Sequence, residues 1–376
     1  MKLASRLMVW LLVFGFLLGN LIKVPIITPE IKVSALDIAV ITALATTLLK
    51  SKKFDIFKLP LVKPFLVFGL IALVSLLLSY FSYGFNGLLV GSAYLVRFVL
   101  YSLSFIVISS QQAKATEKWL SVGVPVLCLI QYLFLPDVRF LEVAEWDPHY
   151  YRVVGTFLDP GFTSIILVFL LFRPTLSGRV LWLLTYLMFA LTYSRSGYLA
   201  FILASAFVAS QKKSWSYFFT RFLLIAATLI LLPRAPGGEG VKLERTSSIT
   251  ARIINWHNSL TIFADHPVIG TGFNTYRYAQ KEYGFLSESK WLKSHAGAGA
   301  DSSLLFVLAT TGLVGFIFYL KYLNQVWRLT SQDYYLQTCL VALFAHSLFL
   351  NSQFYPFVLF WLSLQISQSL RLVHHQ

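Results

Sequence analysis

Charged residues are scarce in this 376-residue chain, at 12%, and cysteines scarcer still, at two. So little charge cannot solvate an ordinary soluble domain. Cys128 and Cys339 both lie in apolar runs, which excludes a disulfide framework. Asp-x-Asp, Cys-x-x-Cys and paired-His spacings are missing, so neither a metal nor any other cofactor is expected. Acidic residues number 16 against 31 Lys and Arg, leaving a net charge of +15. No internal repeat is visible, although transporters are commonly built from two related halves.

The chain is rich in apolar side chains, at 57%. Twelve runs approach the roughly 20 residues needed to cross a hydrocarbon core. They fall near 7–23, 34–50, 61–82, 88–110, 118–136, 160–173, 178–194, 196–210, 215–233, 301–321, 334–351 and 353–370. The expected fold is therefore an all-α polytopic membrane protein, with about 12 transmembrane helices and one long, partly helical outer loop between the ninth and tenth. Lys2 and Arg6 give the first run a signal-like front. It has no small-residue cleavage site and more spans follow at once, so it reads as a retained anchor.

Charge distribution sets the orientation. With the N-terminus inside, the inner segments hold 17 Lys and Arg against 3 acids, Asp55, Glu117 and Asp333. The outer segments balance 13 basic against 13 acidic residues, and Arg97 sits within the fourth span. Lys and Arg gather on the cytoplasmic side of membrane proteins. The excess charge is thus a topology signal, and no nucleic-acid partner is implied. Both termini are expected in the cytoplasm. Arg97 should face a polar interior, paired with a carbonyl or Asp37 in preference to a lipid phosphate.

Two expected domains follow: a five-span N-terminal bundle over 1–136, and a second membrane region over 137–376 that includes the outer loop 234–300. The acidic outer loop 136–161 reads as solubilising, with Asp159-Pro160-Gly161 turning into the next span and Arg152 just before it on the outer surface. Ser194-Arg195-Ser196-Gly197 makes a tight outer turn. In the long loop, Ile249, Ile253, Trp256, Leu260 and Phe263 mark the apolar face of an amphipathic helix with a Ser N-cap. Arg252, Asn255 and Ser259 share another face, which points Arg252 at any adjoining site. Pro267 ends that helix, and Gly270 and Gly272 allow close turns. His295 and Asp301 flank a run of small residues at the outer face. His346, inside a span, reads as a helix-to-helix hydrogen bond.

Three stretches together resemble the O-antigen ligase and O-antigen polymerase family of bacterial membrane glycosyltransferases. They are RVVGTFLDPGFTS at 152–164 with TYSRSGYLAF at 192–201, TARIINWHNSLTIFADHPVIGTGFNTY at 250–276, and SHAGAGADSSLLFVLATTGLVG at 294–315. The resemblance implies transfer of a glycan from a polyprenyl (undecaprenyl) pyrophosphate carrier to a glycan or lipid acceptor hydroxyl, on the outer face of the bacterial inner membrane. It implies that Arg195, Arg252 and Arg152 hold the pyrophosphate and that His295 or Asp301 is the base. The family commonly sets its His beside an Asn. Here AGAGA follows His295, and Asp301-Ser302-Ser303 is nearer to the Asp-Asn variant. That departure favours a polysaccharide polymerase over a ligase acting on lipid A core or protein. A flippase without chemistry is the reading from another class.

The residue types suit the implied reaction. Pyrophosphate is a good leaving group that needs charge stabilisation, and arginine's planar fork binds it bidentately while staying charged. A base near neutral pKa suits the attacking hydroxyl. One displacement would invert the anomeric carbon.

Overall fold

A computed structural model describes residues 3–50, 59–144, 146, 148–173, 178–233, 239–287, 291–292, 297 and 299–374. Helices dominate: α1 (Leu3–Leu18), α2 (Ala35–Lys50), α3 (Val62–Leu78), α4 (Tyr80–Leu103), α5 (Ser110–Phe134), α6 (Pro160–Leu171) and α7 (Arg179–Ala190). The series continues with α8 (Arg195–Lys212), α9 (Trp215–Leu231), α10 (Ser247–Asp265), α11 (Tyr276–Glu282), α12 (Ser303–Leu329), α13 (Tyr334–Ser347) and α14 (Pro356–His374). Every one of the twelve apolar runs lies on a helix; α10 and α11 belong to the long loop. Between α1 and α2, β1 (Lys23–Pro25) pairs antiparallel with β2 (Lys32–Ser34), Lys23 opposite Ser34.

Tyr80–Ile106, Ser110–Phe134 and Ser303–Leu329 are long and apolar enough to cross a bilayer, and six shorter apolar helices accompany them. The helices are inverted relative to a soluble protein. Leu7, Phe14, Leu70, Leu77, Phe81, Leu183, Phe219 and Ile230 point outward. Ser75, Thr116, Thr163, Ser164, Thr185, Ser205, Thr310 and Thr311 are buried between helices. Small hydroxyl residues let helices approach closely and return their hydrogen bonds to the backbone. α6 is buried along nearly its whole length, whereas α9 buries Ile225 alone.

Neighbouring helices pack as α1 with α2 and α5, α3 with α12, and α8 with α13; α14 closes against α4 and α5. Aromatic contacts weld the interior. Phe16 meets Phe157, Phe357 and Trp361, and Phe98 meets Phe65, Phe273 and Phe354. Among the described residues, two internal ion pairs tie separate elements together. Arg97 Nε lies 2.9 Å from Asp37 Oδ1, so Arg97 takes the carboxylate partner expected of it. Arg173 lies 2.9 Å from Glu117.

One feature was invisible to hydropathy. α12 breaks at Gly312, whose φ of 63° lies in the left-handed region. The break frees backbone groups inside a span, and such groups must be satisfied within the protein. The loop after α10 does this. Thr271 N donates to Ala309 O at 3.1 Å and Gly272 N to Thr310 O at 2.9 Å. In return, Leu313 N donates to Pro267 O at 2.8 Å and Val314 N to Val268 O at 3.2 Å. Ser75 Oγ bridges the two segments, 2.8 Å from the carbonyls of Ile269 and Thr310. A Cβ on Gly270 or Gly312 would sit 2.4 Å from opposing backbone.

Candidate active site

Three helix N-termini meet at one end of the bundle. Asp159 caps α6, accepting from Phe162 N at 2.8 Å, with Pro160 at the first position as its turn predicted. Ser194 caps α8 by accepting from Gly197 N at 3.2 Å, and Ser302 caps α12 by accepting from Leu305 N at 3.4 Å. Ser164 Oγ lies 3.0 Å from Ser194 Oγ, and Ser303 Oγ is within 3.3 Å of Leu350 O. Aligned backbone N–H groups and helix dipoles make such a junction favourable to anions. His346 holds the far side as a helix-to-helix bridge. Its Nδ1 is 2.6 Å from Ser352 Oγ and its Nε2 3.5 Å from Ser164 Oγ.

Four arginines surround this junction. Arg195, the first residue of α8, reaches from the tight turn to the long loop, donating to the carbonyls of Leu243 at 3.2 Å and Arg245 at 3.1 Å. It also donates to Ser248 Oγ. That contact corrects one expectation: the helix from Ser247 has no side-chain N-cap, and Thr246 holds the cap position. The Ser248 hydroxyl serves Arg195 instead. Arg152 departs from expectation as well, being buried where surface exposure was expected. Its Nε donates to Thr192 O at 3.0 Å, so it clamps the α7–α8 turn from beneath.

Burial, followed by the charge of Arg245, brings the Arg152 pKa down to about 9; Asp159 opposes that shift and Arg252 adds to it. Arg252 bears electrostatically on Arg195 and His346 too. Arg245 donates to Gly240 O at 2.7 Å. Among the described residues Arg252 makes no hydrogen bond, in contrast to Arg152 and Arg195, which are committed to backbone carbonyls.

α10 turns Ser259 and Ile262 inward, both buried, while Ile249, Ile253 and Leu260 stay exposed. The expected apolar face is thus divided, since Trp256 packs on Phe349 with ring centroids 5.8 Å apart. Asn255 and Trp256 carry the helix to Asp301. Asp301 N donates to Asn255 Oδ1 at 2.7 Å, and Trp256 Nε1 donates to Asp301 O at 3.0 Å. Ser259 Oγ lies 2.6 Å from Tyr276 OH. Asp301 is therefore fixed to the helix that bears Arg252, one turn away. His295 lies outside the described residues.

Asp301 faces a cavity of about 310 Å³, which Asp159 also lines. Phe162 and Tyr355, stacked with centroids 3.9 Å apart, form part of its wall, with Asn274 and Asn351 nearby. The three expected arginines do not line this cavity. Arg195 instead stands at an apolar groove of about 500 Å³ between α8 and α9, with Leu199, Ile202, Ile225, Leu229 and Leu232. Sequence reasoning reads Asp159 as a turn residue and passes over Arg245. The presence of Asp159 in the RVVGTFLDPGFTS stretch was the available signal for the first; for the second there was none.

Residues 179–320 match a family model described as O-antigen ligase. Over that stretch the chain is similar to the O-antigen ligase family. The match spans α7 to most of α12 and takes in Arg195, Arg245, Arg252 and Asp301, while Arg152 and Asp159 precede it. No curated protein matches the chain. That match and the apolar helices support an integral membrane protein, and the similarity is to glycosyltransferase-like enzymes with lipid-linked glycan substrates.

Proposed function

We propose that the chain transfers a glycan from polyprenyl pyrophosphate to an acceptor hydroxyl on the outer face of the bacterial inner membrane, as a polysaccharide polymerase. The observation that carries this reading is the gathering of Arg195, Arg245 and Arg252 over three helix N-termini, beside a cavity holding two carboxylates. The region 137–376 supplies all of these groups.

In this reading Arg252, free of protein hydrogen bonds among the described residues, takes the diphosphate, with Arg195 and Arg152 shaping the ground around it. The groove beside Arg195 suits the apolar polyprenyl chain. The acceptor oxygen attacks the anomeric carbon, and the bond to the diphosphate oxygen breaks with its electron pair leaving on that oxygen. The acceptor proton passes to Asp301 or His295, and the configuration inverts. Guanidinium groups can carry the developing charge, so the reading needs no metal. Asp301-Ser302-Ser303, in place of a His-Asn pair, favours the polymerase over a ligase.

Purified protein given a defined lipid-pyrophosphate donor tests the reaction. Arg252→Ala should lose about a hundredfold or more in transfer, the scale of removing one charge-stabilising donor, while inserting normally. Normal transfer by that variant would mean the diphosphate sits elsewhere. His295→Ala and Asp301→Ala, compared in the same assay, identify the base as the one whose loss abolishes turnover. In a deletion strain, single-repeat products mark a lost polymerase, and long lipid-linked chains a lost ligase.

A further inference from the structure

The cavity beside Asp301 is divided by charge, and the transfer chemistry accounts for one end of it. Asp159 and Asp301 occupy that end. Asp159 acts electrostatically on Arg152 and Tyr355, and Asp301 on Tyr276, so this end of the cavity adjoins the arginine junction and α11. The other end is built by the β1–β2 hairpin and α4: Lys23, Tyr94, Arg97 and Trp146. Among the described residues the charges that bear on Lys23 are Arg97, Lys32 and Asp37, two cations and one acid.

That acid is already spent. Asp37 accepts from Arg97 Nε at 2.9 Å and Arg97 Nη2 at 3.0 Å. It also accepts from Tyr101 OH at 3.0 Å, Ser34 N at 2.7 Å and Ser34 Oγ at 2.8 Å. A carboxylate offers about four lone-pair sites, so nothing remains for Lys23. Glu30, in the same hairpin, accepts from Tyr278 OH at 3.1 Å. Among the described residues no carboxylate forms an ion pair with Lys23. Its ammonium is held over the Trp146 ring, 5.3 Å from the centroid. A positioned ammonium at the wall of a half-enclosed cavity, with the local acid saturated, is a receptor for an anion.

Size and lining narrow the class of anion. At about 310 Å³ the cavity is at the lower end of the roughly 300–1,000 Å³ of small-molecule pockets, room for one compact unit. Its remaining walls alternate aromatic faces with amides: Phe162, Tyr355, Asn274 and Asn351. Aromatic faces accept the C–H face of a sugar ring, and amides its hydroxyls. We propose that this cavity receives an acidic sugar at the acceptor end of the glycan, its carboxylate set on Lys23 and its hydroxyls directed toward Asp159 and Asp301. This inference rests on the transfer reading and adds to it the substrate class.

The test is binding of two disaccharides that differ at one carbon, cellobiouronic acid and cellobiose, to the full chain in phosphatidylcholine nanodiscs. Trp146 beside Lys23 provides a fluorescence reporter. The acid should bind at least about tenfold tighter, the ratio for one added charged contact worth ~1.4 kcal/mol. Lys23→Met should bring the ratio to about one, and Lys23→Arg should retain most of it. Equal affinities in the wild-type protein overturn the inference regardless of how any variant folds. So does a preference that survives Lys23→Met. Loss of acid binding in nanodiscs containing phosphatidylglycerol would assign Lys23 to a lipid headgroup and overturn the inference equally. Donor turnover is measured on the same preparation. Turnover without acid preference overturns this inference alone, and acid preference without turnover overturns the transfer reading alone.

Discussion

His149 and Arg152 illustrate how a single side chain carries its surroundings into the stability of the outer surface. His149 Nε2 is buried and without a partner among the described residues. Burial, then the charges of Arg152 and Arg245, hold its pKa down at about 3. In the unfolded chain it returns to about 6.5. Between those values the unfolded state binds the additional proton, so stability rises with pH through the window and falls as pH drops from about 6.5 toward 3. The slope is about 1.4 kcal/mol per pH unit for one such group. Melting followed from pH 7 to pH 4 should therefore decline, and His149→Gln should flatten the decline by that amount. An unchanged slope in the variant would mean that the imidazole is solvated. Of this, only Arg152 was legible in PHYYR, because the burial comes from the fold and the guanidinium of Arg245 arrives from 96 residues away in sequence.

At the scale of elements, the loop 267–272 and α12 exchange backbone hydrogen bonds as two strands would, across the break at Gly312. Two glycines make the exchange possible. Gly270, with a φ of 73°, and Gly312, with 63°, each press backbone against backbone. Gly270→Ala or Gly312→Ala combines a left-handed backbone with a clash and should cost about 3 kcal/mol or more, read as a large loss of folded protein in detergent. Gly69→Ala, in the helix α3 with open space at its Cβ, should be neutral or slightly stabilising. If all three variants melt alike, the junction is not where stability is stored. The sequence signalled close turns at Gly270 and Gly272, since glycine and proline punctuate a chain. It could not signal their partner. A hydropathy window averages over some twenty residues, and LATTGLVG reads there as continuous span. Asp159 and Asp301 likewise share one cavity across 142 residues of chain, a distance over which local patterning has no reach.

For the whole molecule, apolarity and charge segregation give separate information. The first was legible throughout: each of the twelve apolar runs is helical, because a segment without water must satisfy its own backbone. The number of full crossings is a harder matter. α6 and α7, at 12 residues each, rise about 18 Å, short of the ~30 Å core. Orientation rests on the inner segments, where 17 Lys and Arg face 3 acids. That asymmetry can be tested with thiols, since both native cysteines are buried and silent to a membrane-impermeant maleimide. A cysteine at Val268 or Leu260, both exposed on the α10 side, should label in intact spheroplasts. One at exposed Lys212, at the opposite end of α8 from Arg195, should label only after the membrane is opened. Labelling in the reverse order would put the arginine junction in the cytoplasm. There a lipid-linked donor displayed on the outer leaflet could not reach it, and the transfer reading would fail together with the topology.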